Sequence, residues 1–277
     1  MKKISTLIIS ILIVSTAFAQ EDRVKVFRDT RIVNGQSTEL IPKGTMKFII
    51  SHRFGVVNNG IRDFFGLDNS TIRIGLDYAL TDNINIGIGR SSLQVHYDGY
   101  LKYRIMQQKT GANSRPLSIV FYTNMAVKAL VAPQTEDLTF NNKLSYTHQL
   151  IFGRRINDYL SLQLSPGVVH RNFVNDEVSN NDVYNIGSAA RIQASKKLAF
   201  LLEYYYVPSG QIQEDYQASV GLGIEIETKG HIFQLSFTNS EGLIAPLYIA
   251  ETEGVIANGD IHFGFNITRD FKVGPRR

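Results

Sequence analysis

Beyond its first twenty residues the chain is organised by an apolar side chain at every second position. This pattern holds for eight to twelve residues at a time and recurs in twelve segments. A period of two places those side chains on one face of a β-strand. In residues 216–227, YQASVGLGIEIE, the sequence Tyr, Ala, Val, Leu, Ile, Ile alternates with Gln, Ser, Gly, Gly, Glu, Glu. The other segments fall near 45–53, 71–80, 84–91, 99–107, 117–127, 143–153, 159–169, 183–194, 198–207, 231–239 and 260–268. A 3.6-residue period is almost absent, and no later stretch has the eighteen or so consecutive apolar residues of a spanning helix. If the chain enters a membrane, a closed β-barrel is the form open to it, because lipid offers no partner to a free backbone amide.

The links between segments choose between a barrel and a soluble sandwich. Residues 81–83, 154–158, 195–197 and 228–230 are tight turns, whereas 54–70, 128–142, 170–182, 208–215 and 240–259 are longer and richer in Asn, Gly, Asp and Glu. Long and short links alternate, apart from a short 92–98 and a long 108–116. That layout belongs to outer-membrane barrels, and a Greek-key sandwich has no reason to sort its loops by parity. The expected fold is therefore all-β: an antiparallel transmembrane β-barrel of about 12 strands, with short periplasmic turns and longer outer loops. Ile72, Ile74, Leu76, Tyr78 and Leu80 would face lipid, as would Leu198, Phe200, Leu202, Tyr204 and Tyr206. Tyr78, Tyr100, Phe121, Tyr159, Tyr206 and Tyr216 would supply the aromatic girdles.

The N-terminus sets the compartment. Lys2 and Lys3, the apolar run Ile4 to Val14, and Ala17-Phe18-Ala19 before Gln20 form a signal peptide over residues 1–20. Residues 21–43 are expected to be an N-terminal arm or small plug, and 44–277 the barrel. An even strand count returns both termini to the periplasm, and the localisation expected is the cell outer membrane. Removing residues 1–20 takes away two Lys and lowers the formal net charge from +4 to +2. That near balance is no footprint for nucleic acid. With no cysteine, disulfides and thiolate sites are excluded.

Charges sort along and around the barrel. The long loops hold Asp63, Asp68, Glu136, Asp137, Asp176, Glu177, Glu214, Asp215, Glu241, Glu251 and Glu253. The short turns and C-terminus hold Lys109, Arg115, Arg154, Arg155, Lys196, Lys197, Lys229, Arg269, Lys272, Arg276 and Arg277. At inward positions the first four strands carry Lys47, Arg53, Arg73, Arg90, Lys102 and Arg104 against Asp77, and strands nine and ten carry Glu203, Glu225 and Glu227. These read as a basic and an acidic lumen wall. They would line either a narrow passive channel for small polar or charged solutes or a salt-bridged, non-conducting interior. In the second case the barrel would serve structure, adhesion or partner scaffolding.

An outer-membrane hydrolase is a third reading with little support. None of the six histidines has Ser two residues away on the same strand face. His96-Tyr97-Asp98 and His170-Arg171-Asn172 lie near the outer rim without a nucleophile beside them. His170, Asp176, Glu177 and Asp182 match no metal-loop spacing. No catalytic residue, metal or cofactor is expected. The partners expected are outer-membrane lipid and either small solutes or a periplasmic partner protein, with no nucleic acid.

Several stretches share one pattern: RIVNGQSTELIPKG (31–44), SHRFG (51–55), FFGLDNSTIRIGLDYALTDNINIGIGRSS (64–92), YDGYLKY (97–103) and the closing IHFGFNITRDF (261–271). They resemble a Gram-negative outer-membrane β-barrel family defined only as a domain of unknown function. The resemblance covers nearly all of the mature chain. It implies the barrel and its location, and brings no catalytic residues.

Overall fold

The computed structural model describes residues 23–129, 139–174 and 179–273. Its strands are β1 (Thr45–Val56), β2 (Ser70–Thr81), β3 (Ile84–Ser91), β4 (His96–Met106), β5 (Ser118–Lys128) and β6 (Leu144–Arg155). The second half supplies β7 (Leu160–Arg171), β8 (Asp182–Gln193), β9 (Leu198–Tyr206), β10 (Ser219–Glu227), β11 (His231–Thr238) and β12 (His262–Lys272). Each pairs antiparallel with its neighbours in sequence, and β1 pairs with β12, so the sheet closes on itself. Closure leaves no row of unpaired amides.

The two-residue period then assigns the faces. On β2, Ile74, Leu76, Tyr78 and Leu80 are exposed on the outside, while Arg73, Gly75, Asp77 and Ala79 are buried inside. On β9, Phe200, Leu202, Tyr204 and Tyr206 are outside, and Leu201, Glu203 and Tyr205 are inside. Two aromatic expectations need correction. Tyr100 is inside, 5.6 Å from the ring of Tyr122, because β4 turns its even-numbered residues inward. Tyr216 precedes β10: Gln217 bonds through its amide to the Thr252 carbonyl, so the chain there pairs with a loop instead of β9.

The links sort by end. The turns β2–β3, β4–β5, β6–β7, β8–β9 and β10–β11, the start of β1 and the end of β12 share one end of the barrel, here the turn end. The links β1–β2, β3–β4, β5–β6, β7–β8, β9–β10 and β11–β12 lie at the other, the loop end.

Two segments occupy the interior. From the turn end, residues 24–43 form a hairpin in which Arg31 pairs with Gln36, Ile32 donates to the Gly35 carbonyl and Ser37 donates to the Thr30 carbonyl. The reversal runs over Val33-Asn34. From the loop end, the β11–β12 link folds inward and carries a short helix, α1 (Ala245–Ala250), with every residue buried. A helix that is apolar on all sides belongs in an interior. Its Tyr248, Ile249 and Ala250 join Tyr100, Val120, Tyr122, Ile151, Val169, Val183 and Tyr205 in one apolar cluster. The hairpin and α1 meet at Tyr205, whose ring lies 5.1 Å from that of Tyr248, and a Cβ at Gly35 would fall 2.0 Å from the Tyr205 hydroxyl.

Candidate functional site

The inward side chains of the wall converge on the hairpin, mostly on its backbone. The β9 residue Glu203 accepts hydrogen bonds from the amides of Val33 (3.2 Å), Asn34 (2.9 Å) and Gly35 (3.0 Å) at the tip. Arg53 on β1 donates to the Val33 carbonyl (3.0 Å) and the Asn34 side-chain oxygen (2.9 Å). Asn266 on β12 donates to the same Val33 carbonyl at 3.0 Å, and Gln234 on β11 to the Arg31 carbonyl at 3.1 Å. From the opposite wall, Gln163 on β7 donates to the Gln36 carbonyl (2.8 Å), and Lys102 on β4 to the Thr30 and Glu39 carbonyls (3.3 and 2.7 Å). A segment without regular ladder partners still carries amides and carbonyls that must be satisfied. Here the wall side chains satisfy them.

Two hairpin carboxylates fix its base. Asp29 pairs with Lys47 at 2.6 Å and accepts from Thr268 at 2.7 Å. Burial pushes its carboxyl up, but Lys47 and these hydrogen bonds pull it further down, to a net value below the ordinary carboxylate range. Glu39 accepts from the amides of Val26 (2.9 Å) and Phe27 (3.2 Å), which clamps the two arms together. Its carboxyl lies above the ordinary range because burial outweighs those bonds.

The structure places the proposed walls as follows. Lys47, Arg53, Arg73 and Lys102 are buried inside the barrel, and Arg104 is half-buried at the turn end, donating to the Asp82 carbonyl at 2.9 Å. Arg90 must be corrected. It shares the face of Ile84, Ile86 and Ile88, points outward, and lies over the ring of Tyr97 at 5.8 Å. Alternation leaves no other choice. Glu203 and Glu225 are buried inside, while Glu227 sits at the turn-end rim, ion-paired with Arg28.

The walls do not face each other across free space. Arg73 is bound by two hydrogen bonds, 2.8 and 2.6 Å, to its β4 neighbour Asp98, and Glu225 is bound to Arg191 on β8 at 2.9 Å. Asp98, Arg155, Arg171 and Arg191 are inward charges absent from the sequence-based walls. They could have been found by extending strict alternation to the ends of β4, β6, β7 and β8. The Asn34-Gly35 pair was the available sign of the hairpin, since such dipeptides mark reversals.

Ser91 stands opposite His96 in the β3–β4 ladder. The His96 ring bonds to the Leu93 carbonyl, and Ser91 Oγ has no hydrogen-bond partner among the described residues. His170 bonds to Asp182 at 2.7 Å. Asp176 and Glu177, like Glu136, Asp137, Arg276, Arg277 and residues 1–20, lie outside the described residues.

Residues 27–271 match the family described as a membrane bound β-barrel domain, DUF5777. The chain belongs to this family. Among solved structures, the DUF5777 barrel is similar to a NanC porin at 7% identity, covering 82% of this chain and 99% of that one with a TM-score of 0.51. It is also similar to the KdgM porin in complex with disordered oligogalacturonate, at 9% identity, the same coverage and a TM-score of 0.50. At such identities the likeness is one of fold. No curated protein matches the sequence. As a membrane-bound barrel, the DUF5777 protein presents its exposed Ile74, Leu76, Leu202 and Leu222 to lipid.

Proposed function

We propose that this protein is an outer-membrane channel for small polar or charged solutes, held shut by its own N-terminal hairpin. In this reading residues 1–20 direct export, the turn end with both termini is periplasmic, and the long loops face outward. One observation carries the proposal. The barrel closes through β1–β12 pairing without any hairpin residue, and the hairpin is held by polar bonds that water can replace together with a small apolar cluster of Val26, Phe27, Ile32 and Val33 on Ala189 and Leu201. A segment docked in that way can leave as a unit without breaking the wall. Once it leaves, Lys47, Arg53, Lys102, Glu203 and Glu225 line the opened half of the lumen. Passage through the remaining half requires the α1 loop to move as well, against the apolar cluster it builds with the wall.

A second reading, a non-conducting scaffold, is favoured by the apolar cluster that α1 builds with Tyr100, Tyr122 and Tyr205 at the centre of the barrel. Because the chain has no cysteine, a pair can be introduced cleanly. Asn34 donates to Thr238 at 3.2 Å across the tip, so Asn34→Cys with Thr238→Cys brings two thiols close together, and oxidation, checked by loss of free thiol, supplies a redox lock. In planar bilayers we expect intermittent current from the reduced protein and silence after oxidation. Silence in both states would remove the channel and leave the scaffold. Equal current in both would remove the hairpin as its gate.

A further inference from the structure

At the turn end, a cavity of about 170 Å³ opens between the hairpin and the wall. Five cations line it: Lys25 and Arg28 on the hairpin, Arg155 at the end of β6, Arg191 on β8 and Lys196 in the β8–β9 turn. Three have carboxylate partners, in the pairs Arg28–Glu227, Arg155–Asp158 and Arg191–Glu225. Lys25 and Lys196 make no ion pair among the described residues, and both are exposed. Ser161, Gln193 and Tyr159 add polar groups to the lining. The surrounding rim is also basic, through Lys109, Arg115, Arg154, Lys197 and Lys229. Asp158 and Glu227 line the cavity as well, so with the three pairs formed the uncompensated charge is that of Lys25 and Lys196, and concave walls focus its field. Guanidinium forks beside lysine ammoniums suit the several oxygens of a phosphate better than a monovalent halide.

We propose that this cavity is a binding site for a phosphate group, whose occupant bridges Lys25 and Arg28 of the hairpin to Arg155 and Lys196 of the wall and so fastens the hairpin in place. The fastening role rests on the gated-channel reading; the site itself does not. Free phosphate in the adjoining aqueous compartment and the headgroup of an anionic lipid share this chemistry, and the cavity size excludes a polymer.

The test uses the mature protein in phosphate-free detergent, titrated with pyrophosphate at constant ionic strength and followed by calorimetry. Saturable one-to-one binding is expected. It should weaken by about tenfold or more in Lys25→Gln/Lys196→Gln, since each lost partner is a charge-assisted contact, and persist in Lys25→Arg/Lys196→Arg. Both lysines are exposed, and an unheated electrophoretic shift confirms that each variant barrel is folded. In a second arm, phosphatidylcholine nanodiscs with and without phosphatidylglycerol replace pyrophosphate. Tryptic protection of the buried Arg31 reads fastening in both arms. Protection by lipid alone identifies the headgroup, and protection by pyrophosphate alone identifies the free ion. No binding in either arm, or equal affinity in the glutamine variant, overturns the site. Binding without a gain in protection overturns the fastening role, and the redox lock decides the channel independently of both.

Discussion

The strongest test of hairpin docking is Glu203→Gln. In the native protein one carboxylate receives the amides of Val33, Asn34 and Gly35, all within 3.2 Å. Hydrogen bonds to a charged group contribute roughly 1.5–3 kcal/mol each in mutational series. The amide keeps one accepting oxygen but turns an NH2 group toward backbone donors, so at least one bond is lost and a donor is left facing a donor. Removing the charge also relieves part of its desolvation cost, which offsets some of the loss. A net weakening of about 2 kcal/mol follows, or about a 30-fold rise in the undocked population. The barrel ladder is untouched, because Glu203 pairs with Ala189 and Gly221 through backbone alone. Limited trypsinolysis at Arg31, which is 6% exposed when docked, reports that population directly as long as reclosing outpaces cleavage. A cleavage rate equal to that of the unaltered protein would refute the claim that Glu203 holds the tip.

Other substitutions separate the remaining contacts. Gly35→Ala places a methyl group 2.0 Å from the Tyr205 hydroxyl; overpacking of that kind costs about 1–3 kcal/mol, and the same protease assay should show a loosened hairpin. Asp29→Asn leaves Lys47 with Asp270 alone, at 3.0 Å, and should loosen the hairpin base by a similar reading. Because the Asp29 carboxyl is lowered in the folded protein, its contribution is complete above its ordinary value and is lost as pH falls through the lower folded value. Hydrogen-exchange protection of the Val33, Asn34 and Gly35 amides should therefore decline in the acid range in the native protein, and less steeply in Asp29→Asn. On the outer surface, Leu222→Arg puts a charge on the lipid face, at a cost of about 2–4 kcal/mol if it lies at the midplane. Its unfolding midpoint in lipid should drop, whereas the same change measured in detergent should matter less.

Most of the wall could be read in the chain. Ile84–Ser91 has the same limits in sequence and structure, and the other strands moved by a few residues: ladder pairing carries β12 past the apolar run to Lys272, whereas β10 starts only at Ser219, after the alternation has begun. Alternation also fixes which residues turn inward, so Arg90 could have been placed outside with Ile86 and Ile88. Residues 24–40 and 239–261 were different. Neither has a period, because their partners are side chains of many strands, and Glu203 and Asn34 lie 169 positions apart.

Local chemistry in the sequence alone thus determined the barrel, its strand count and the two faces of each strand. A β-strand alternates wherever it lies, and closure follows once lipid must be met without free amides. What fills the lumen was decided only by the tertiary structure. Glu203, Arg53 and Lys102 read in sequence as charges facing a pore. In the folded protein they are the hydrogen-bond partners of a backbone segment, and that role exists only once distant strands have closed around the hairpin.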